Sequence, residues 1–89
     1  MALTKEIVVD KIEVLEMGQV QVRTATRVKE DGVELSSSFH RHVIEPSTKA
    51  SGSWADTDIS GEDARVQAIA NATWTDSVKT AFQEARDAT

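Results

Sequence analysis

Val, Ile and Thr alternate with polar residues over positions 6–45, the period of strands that lay one face on a core. From position 60 the spacing changes. Val66, Ile69, Ala70 and Thr73 recur at intervals of three and four, and so do Val78, Ala81, Phe82 and Ala85. Those are narrow helical stripes. Between the two halves lies a polar, small-residue stretch, Pro46-Ser47-Thr48-Lys49-Ala50-Ser51-Gly52-Ser53, which reads as a connector. The pattern predicts an α+β fold in a single domain over 1–89. A three-stranded antiparallel β-meander over 6–45 is followed by a connector over 46–59 and two short C-terminal helices over 60–88, packed on one face.

Turn chemistry sets the expected register. Asp31-Gly32 is the two-residue hairpin signal, because a type I′ turn needs positive φ at both central positions. It sets Glu30 opposite Val33, Lys29 opposite Glu34 and Val28 opposite Leu35. A three-residue loop of Glu16, Met17 and Gly18, with Gly18 left-handed, sets Val14 opposite Val20 and Ile12 opposite Val22. One face then carries Val8, Ile12, Val14, Val20, Val22, Val28, Leu35, Phe39 and Val43 as the core face, with Arg41 on its parity. The other carries Lys11, Glu13, Gln19, Gln21, Arg23, Arg27, Lys29, Glu34, His40 and His42.

Ser60, with Asp63 three residues on, reads as a helix N-cap, and Thr75 as a second one. Trp74 falls at the corner between the helices, where its ring can close the core. Phe39, Val22, Ile69, Phe82 and Trp74 are expected together in that core.

Composition sharpens this picture. Apolar residues are 39% of the chain and aromatic ones only 4%, a thin supply for burial within 89 residues, so a second copy would help. The net charge of -5 suits neither a phosphate backbone nor any other sequence-independent nucleic-acid partner. The absence of Cys excludes disulfides, thiolate metal sites and Cys nucleophiles. No apolar run reaches the roughly 18 residues of a membrane span, and no signal-peptide stretch is expected at the start.

His40-Arg41-His42 is the one constellation with ligand chemistry. Residues two apart in a strand share a face, but two imidazoles supply only two ligands. The reading favoured is solvated histidines with no bound metal, His40 and His42 being the metal candidates. Asp56, Asp58, Glu62 and Asp63 lack the spacing of a calcium loop. Ser36-Ser37-Ser38 lacks the glycine elbow of a nucleophile. No catalytic or cofactor-binding residue is assigned, no cofactor is expected, and the protein reads as a non-enzyme.

Ile7, Val9, Leu15 and Ile44 interrupt the polar face and are interface candidates. Trp54 joins them, because an indole in a polar loop either folds back on its own domain or docks on a neighbour. The edge strand from Glu6 to Leu15 is left unpaired by a meander. These features point to self-association.

The strings Asp10-Lys11-Ile12-Glu13-Val14-Leu15, Gly18-Gln19-Val20-Gln21-Val22-Arg23, Glu30-Asp31-Gly32-Val33-Glu34 and His40-Arg41-His42-Val43 carry a resemblance. With Gly61 to Ala70 and Ala72-Thr73-Trp74-Thr75, they resemble a family of small tailed-bacteriophage proteins without assigned activity. The resemblance implies a phage structural or accessory protein, virion- or tail-associated and made in the host bacterial cytoplasm. Its partners would be its own copies and other phage structural proteins, with no nucleic acid and no membrane. The alternative is an early phage protein that binds and modulates a host protein.

Overall fold

The computed structural model describes residues 2–88. Strands β1 (Leu3–Val14), β2 (Val20–Glu30) and β3 (Val33–Ile44) form an antiparallel sheet in the order β1-β2-β3. Strands β4 (Ser47–Ala50) and β5 (Ser53–Asp56) form a second, two-stranded sheet, and helices α1 (Ala64–Thr73) and α2 (Asp76–Asp87) follow. This is the α+β meander with two C-terminal helices. The stretch expected as a connector is instead a hairpin. Ser51 and Gly52 turn it with φ of 52° and 80°, the positive pair that a two-residue hairpin needs.

Both turns of the meander form as the sequence predicts. Asp31 and Gly32 take φ of 52° and 85°, and Gly18 takes 89°. Val14 pairs with Val20, Ile12 with Val22, Glu30 with Val33 and Lys29 with Glu34. The register then departs from expectation at two bulges. In β3 the extra residue is Leu35, so Val28 pairs with Ser36 rather than Leu35. Every later residue of β3 changes face, because side chains alternate with period two. His40 and His42 join the helix-covered face, opposite Thr24 and Val22, and Ile44 lies opposite Val20. Phe39, Arg41 and Val43 turn to the other face. In β1 the extra residue is Asp10, which puts Val9 opposite Thr24 and Val8 opposite Ala25.

Each bulge is matched by a tertiary contact. Arg23 grips Asp10 with two bonds, Nε to Oδ1 at 3.0 Å and a terminal nitrogen to Oδ2 at 2.8 Å. A bulge re-aims one side chain, here towards that guanidinium. In β3 the shifted register brings Ile44 onto the core and sets the His42 ring 2.8 Å from Glu62. Phe39 is compensated on its new face by the Arg23 guanidinium, 4.5 Å from its ring centre.

The core is small. Val20, Val22, Val66, Ala70 and Trp74 are buried together, with Val9, Ile12, Ile44, Ile59 and Val78 packed against them. Phe39, expected inside, is 49% exposed. Phe82 is buried but outside this cluster, edge-on to Trp54 with ring centres 6.0 Å apart. Ile69 is half-buried. The N-cap of α1 is Asp63, whose carboxylate accepts from the Arg65 amide, rather than Ser60; the Ser60 amide donates to Asp58. Thr75 caps α2 as predicted, with Asp76 in the first turn and Arg86 in the last, both matched to the helix dipole. The Trp74 indole N–H donates to the Gly18 carbonyl at 2.7 Å, tying the helix corner to the β1–β2 turn.

Candidate interaction surface

The helices are shorter than the sheet. α1 has 10 residues, which rise about 15 Å, whereas the 12 residues of β1 or β3 rise about 40 Å. The far half of the sheet therefore projects as an uncovered ribbon of residues 3–9, 24–30 and 33–40. The radius of gyration is 16.9 Å, against about 12 Å for a compact chain of this length. Accessible surface is 5958 Å², roughly 800 Å² above the value for a compact monomer of this mass.

The two faces of the ribbon differ in chemistry. On the face away from the helices, Glu6 bonds Arg27 and Lys29 at 3.0 and 3.3 Å, and Arg27 lies 3.6 Å from Glu34. The Arg27 and Lys29 bonds hold the Glu6 carboxyl below its usual range. Nearer the middle the Asp10–Arg23 pair completes this charged side, and Arg23 likewise holds the Asp10 carboxyl low. Val8, Ala25 and Phe39 lie between the two ion-paired groups, with Ala25 fully buried. The face on the helix side carries Leu3, Ile7, Val28 and Val33 by register. Leu3, Ile7 and Val33 are 63–65% exposed. Only Lys5 and Glu30 are charged there, one of each sign.

The depressed Asp10 pKa has a testable consequence. A carboxyl with a lowered folded-state pKa stabilises the fold above its unfolded pKa, and that contribution is lost as pH falls through the folded value. The Tm of the parent should therefore decline more steeply than that of Asp10→Asn between about pH 5 and pH 2. Parallel acid limbs in a thermal-melt series would show that the pair contributes nothing.

The expected interface residues separate. Ile7 stands 65% exposed on the ribbon, and Leu15 is 37% exposed beside the β1–β2 loop. Val9 and Ile44, expected on the polar face, pack against the core because the two bulges reverse their parity. Trp54 folds back on its own chain. Its indole N–H donates to Asp87 at 3.1 Å, and Lys49 lies over its ring while also bonding Asp87. These residues and Phe82 line a shallow cleft of about 430 Å³, whose charges pair with each other, Arg86 with Glu45 as well as Lys49 with Asp87. The cleft is thus a self-satisfied polar lining over an aromatic contact. Arg41, expected at the core face, lies opposite Arg23 on the other side and is exposed.

His40 and His42, expected on the wet face, stack with ring centres 6.3 Å apart beneath the helix side of the sheet, where Glu62 takes His42. Among the described residues no group of three or more His, Asp or Glu side chains is placed to hold a metal ion, and no helix is long and apolar enough to cross a membrane. Leu3 and Val33, which no motif singled out, join Ile7 as exposed apolar residues on the helix-side face, with half-buried Val28, expected on the core face, beside them. Comparison with family models, curated proteins and solved structures returns no match.

Both sheet edges are blunted. Each edge strand carries a bulge, and the Arg65 guanidinium donates to the Val9 carbonyl on the β1 edge. Bulges and edge charges discourage strand addition. The ribbon's helix-side face has no such protection.

Proposed function

We propose that the protein is a non-enzymatic bacteriophage structural or accessory protein that works as a homo-oligomer in the virion, at or near the tail. One observation supports the homo-oligomer above the others. Half of a three-stranded sheet stands uncovered with Leu3, Ile7 and Val33 in solvent, interspersed with Lys5 and Glu30, and exposed apolar side chains grouped on one face mark an association surface.

Light scattering on the purified protein tests the assembly, and mass spectrometry of purified phage particles tests the location. The expected outcome is a mass at a multiple of 9.7 kDa with a melt that rises with protein concentration, together with stoichiometric presence in particles. A 9.7 kDa species at high micromolar concentration, with a concentration-independent melt, ends the homo-oligomer. Abundance in infected cells without presence in particles assigns the protein instead to modulation of a host partner.

A further inference from the structure

We infer that the ribbon's helix-side face is occupied by the same face of a second copy, stacked antiparallel about a twofold axis. This rests on the self-association proposed above and adds its surface and geometry. Three observations lead to it. The first is area. The chain as a whole carries roughly 800 Å² of surface beyond a compact monomer, spread over both faces of the ribbon, and a standard interface takes about 800 Å² from each partner.

The second is the asymmetry between surfaces. The opposite face binds its own charges in the Glu6, Arg27, Lys29 and Glu34 group, and both edges are bulged. Leu3, Ile7, Val28 and Val33, with Lys5 and Glu30 among them, lie on a face without an ion-paired group of its own, whereas Phe39 on the opposite face is capped by Arg23. Two such faces can pack at the ordinary spacing of stacked sheets, about 10 Å.

The third is charge along the ribbon. Its tip carries Glu30, on the helix-side face beside Leu3 and Val33. Its base ends in a notch of about 430 Å³ beside the start of α1, where Ile7, Val9, Thr24 and Arg65 meet with Asp63, whose carboxylate already caps the helix through the Arg65 amide. An antiparallel stack lays the tip of one copy over the base of the other. Glu30 of each chain then approaches Arg65 of its mate, whose guanidinium has donors beyond the one given to Val9. Leu3 of each chain, at the tip of the strand that lines the notch, enters the other's notch. A parallel stack would set the acidic tips together and forfeit both contacts.

The absence of native cysteine makes the test direct. Light scattering of the unaltered chain first reads self-association by itself. Val28→Cys, central on the stacked face, should cross-link to a covalent dimer with a short bismaleimide, while Ser37→Cys on the opposite face should not. Ile7→Glu should weaken association by roughly tenfold or more, as a charge placed within an apolar interface does. Glu30→Arg and Arg65→Glu should each weaken it, and the double reversal should restore it. Tryptophan fluorescence, from Trp74 in the core and Trp54 in the cleft, reports whether each variant keeps its fold.

An assembly that survives Ile7→Glu, or that cross-links through Ser37→Cys and not Val28→Cys, overturns the stacked face while leaving self-association standing. Single charge reversals without effect, or a double reversal that fails to rescue, overturn the antiparallel arrangement. A monomer in the unaltered chain overturns both proposals.

Discussion

Trp74→Ala should cost about 3–5 kcal/mol, the range for removing a buried aromatic side chain. The indole is 8% exposed, belongs to the main core cluster, and donates to the Gly18 carbonyl. The substitution leaves a cavity under the helix corner and strips that carbonyl of its donor. Against a total of roughly 5–15 kcal/mol for a native domain, this is a large fraction. Trp74→Phe separates the two effects. It keeps most of the ring and loses the N–H, so its cost should fall near the 1–3 kcal/mol of an unsatisfied buried acceptor. Urea unfolding of the three proteins measures both. An alanine variant with the parent's midpoint and slope would show that the corner carries no stability.

The second large effect is expected at the other end of the same bond. Gly18 is buried with φ of 89°. A Cβ there would stand 2.6 Å from Val78 Cγ1 and 3.1 Å from Pro46 Cγ. Gly18→Ala therefore combines a left-handed backbone cost of about 1–2 kcal/mol with overpacking of about 1–3 kcal/mol. Gly32→Ala is the control. Its φ is similarly positive at 85°, but nothing lies within 4 Å of the added carbon, so it should show the backbone cost alone. Equal losses in thermal melts of the two variants would mean that the contact of Gly18 with Val78 and Pro46 is unimportant.

Local chemistry was legible wherever one residue type has one use. Asp31-Gly32 dictated its turn, Gly18 its loop, Thr75 its cap and Trp74 its corner. The bulges were not legible, because β3 has apolar residues of both parities. Leu35, Phe39 and Val43 argue for one face and Ile44 for the other, so alternation alone chooses the larger set. Tertiary partners decide instead: Glu62 for His42, and Val20 for Ile44. The same holds for Asp10, whose bulge depends on Arg23, 13 residues away. Ser51-Gly52 carried a hairpin signal, but the strands beside it are four residues long and lack an apolar alternation.

Of the expected interface residues, Ile7 kept its exposure, while Val9 and Ile44 moved inside with the register. Trp54 took the self-contained of its two options. The uncovered ribbon itself could have been found by length alone. Helical stripes of three turns cannot span strands of 12 residues, whatever faces those strands present.

The ribbon also governs how the molecule moves through solution. Its extents of 56 × 23 × 22 Å describe a rod whose length is more than twice its width. Such a body meets more friction than a sphere of equal mass and tumbles faster about its long axis than end over end. On a sizing column a single chain would emerge early, at the position of a heavier globular protein. A stacked pair overlapping along half its length would gain mass faster than it gains reach. The step between the two in elution volume is therefore compressed, and only a mass read from scattered light separates them.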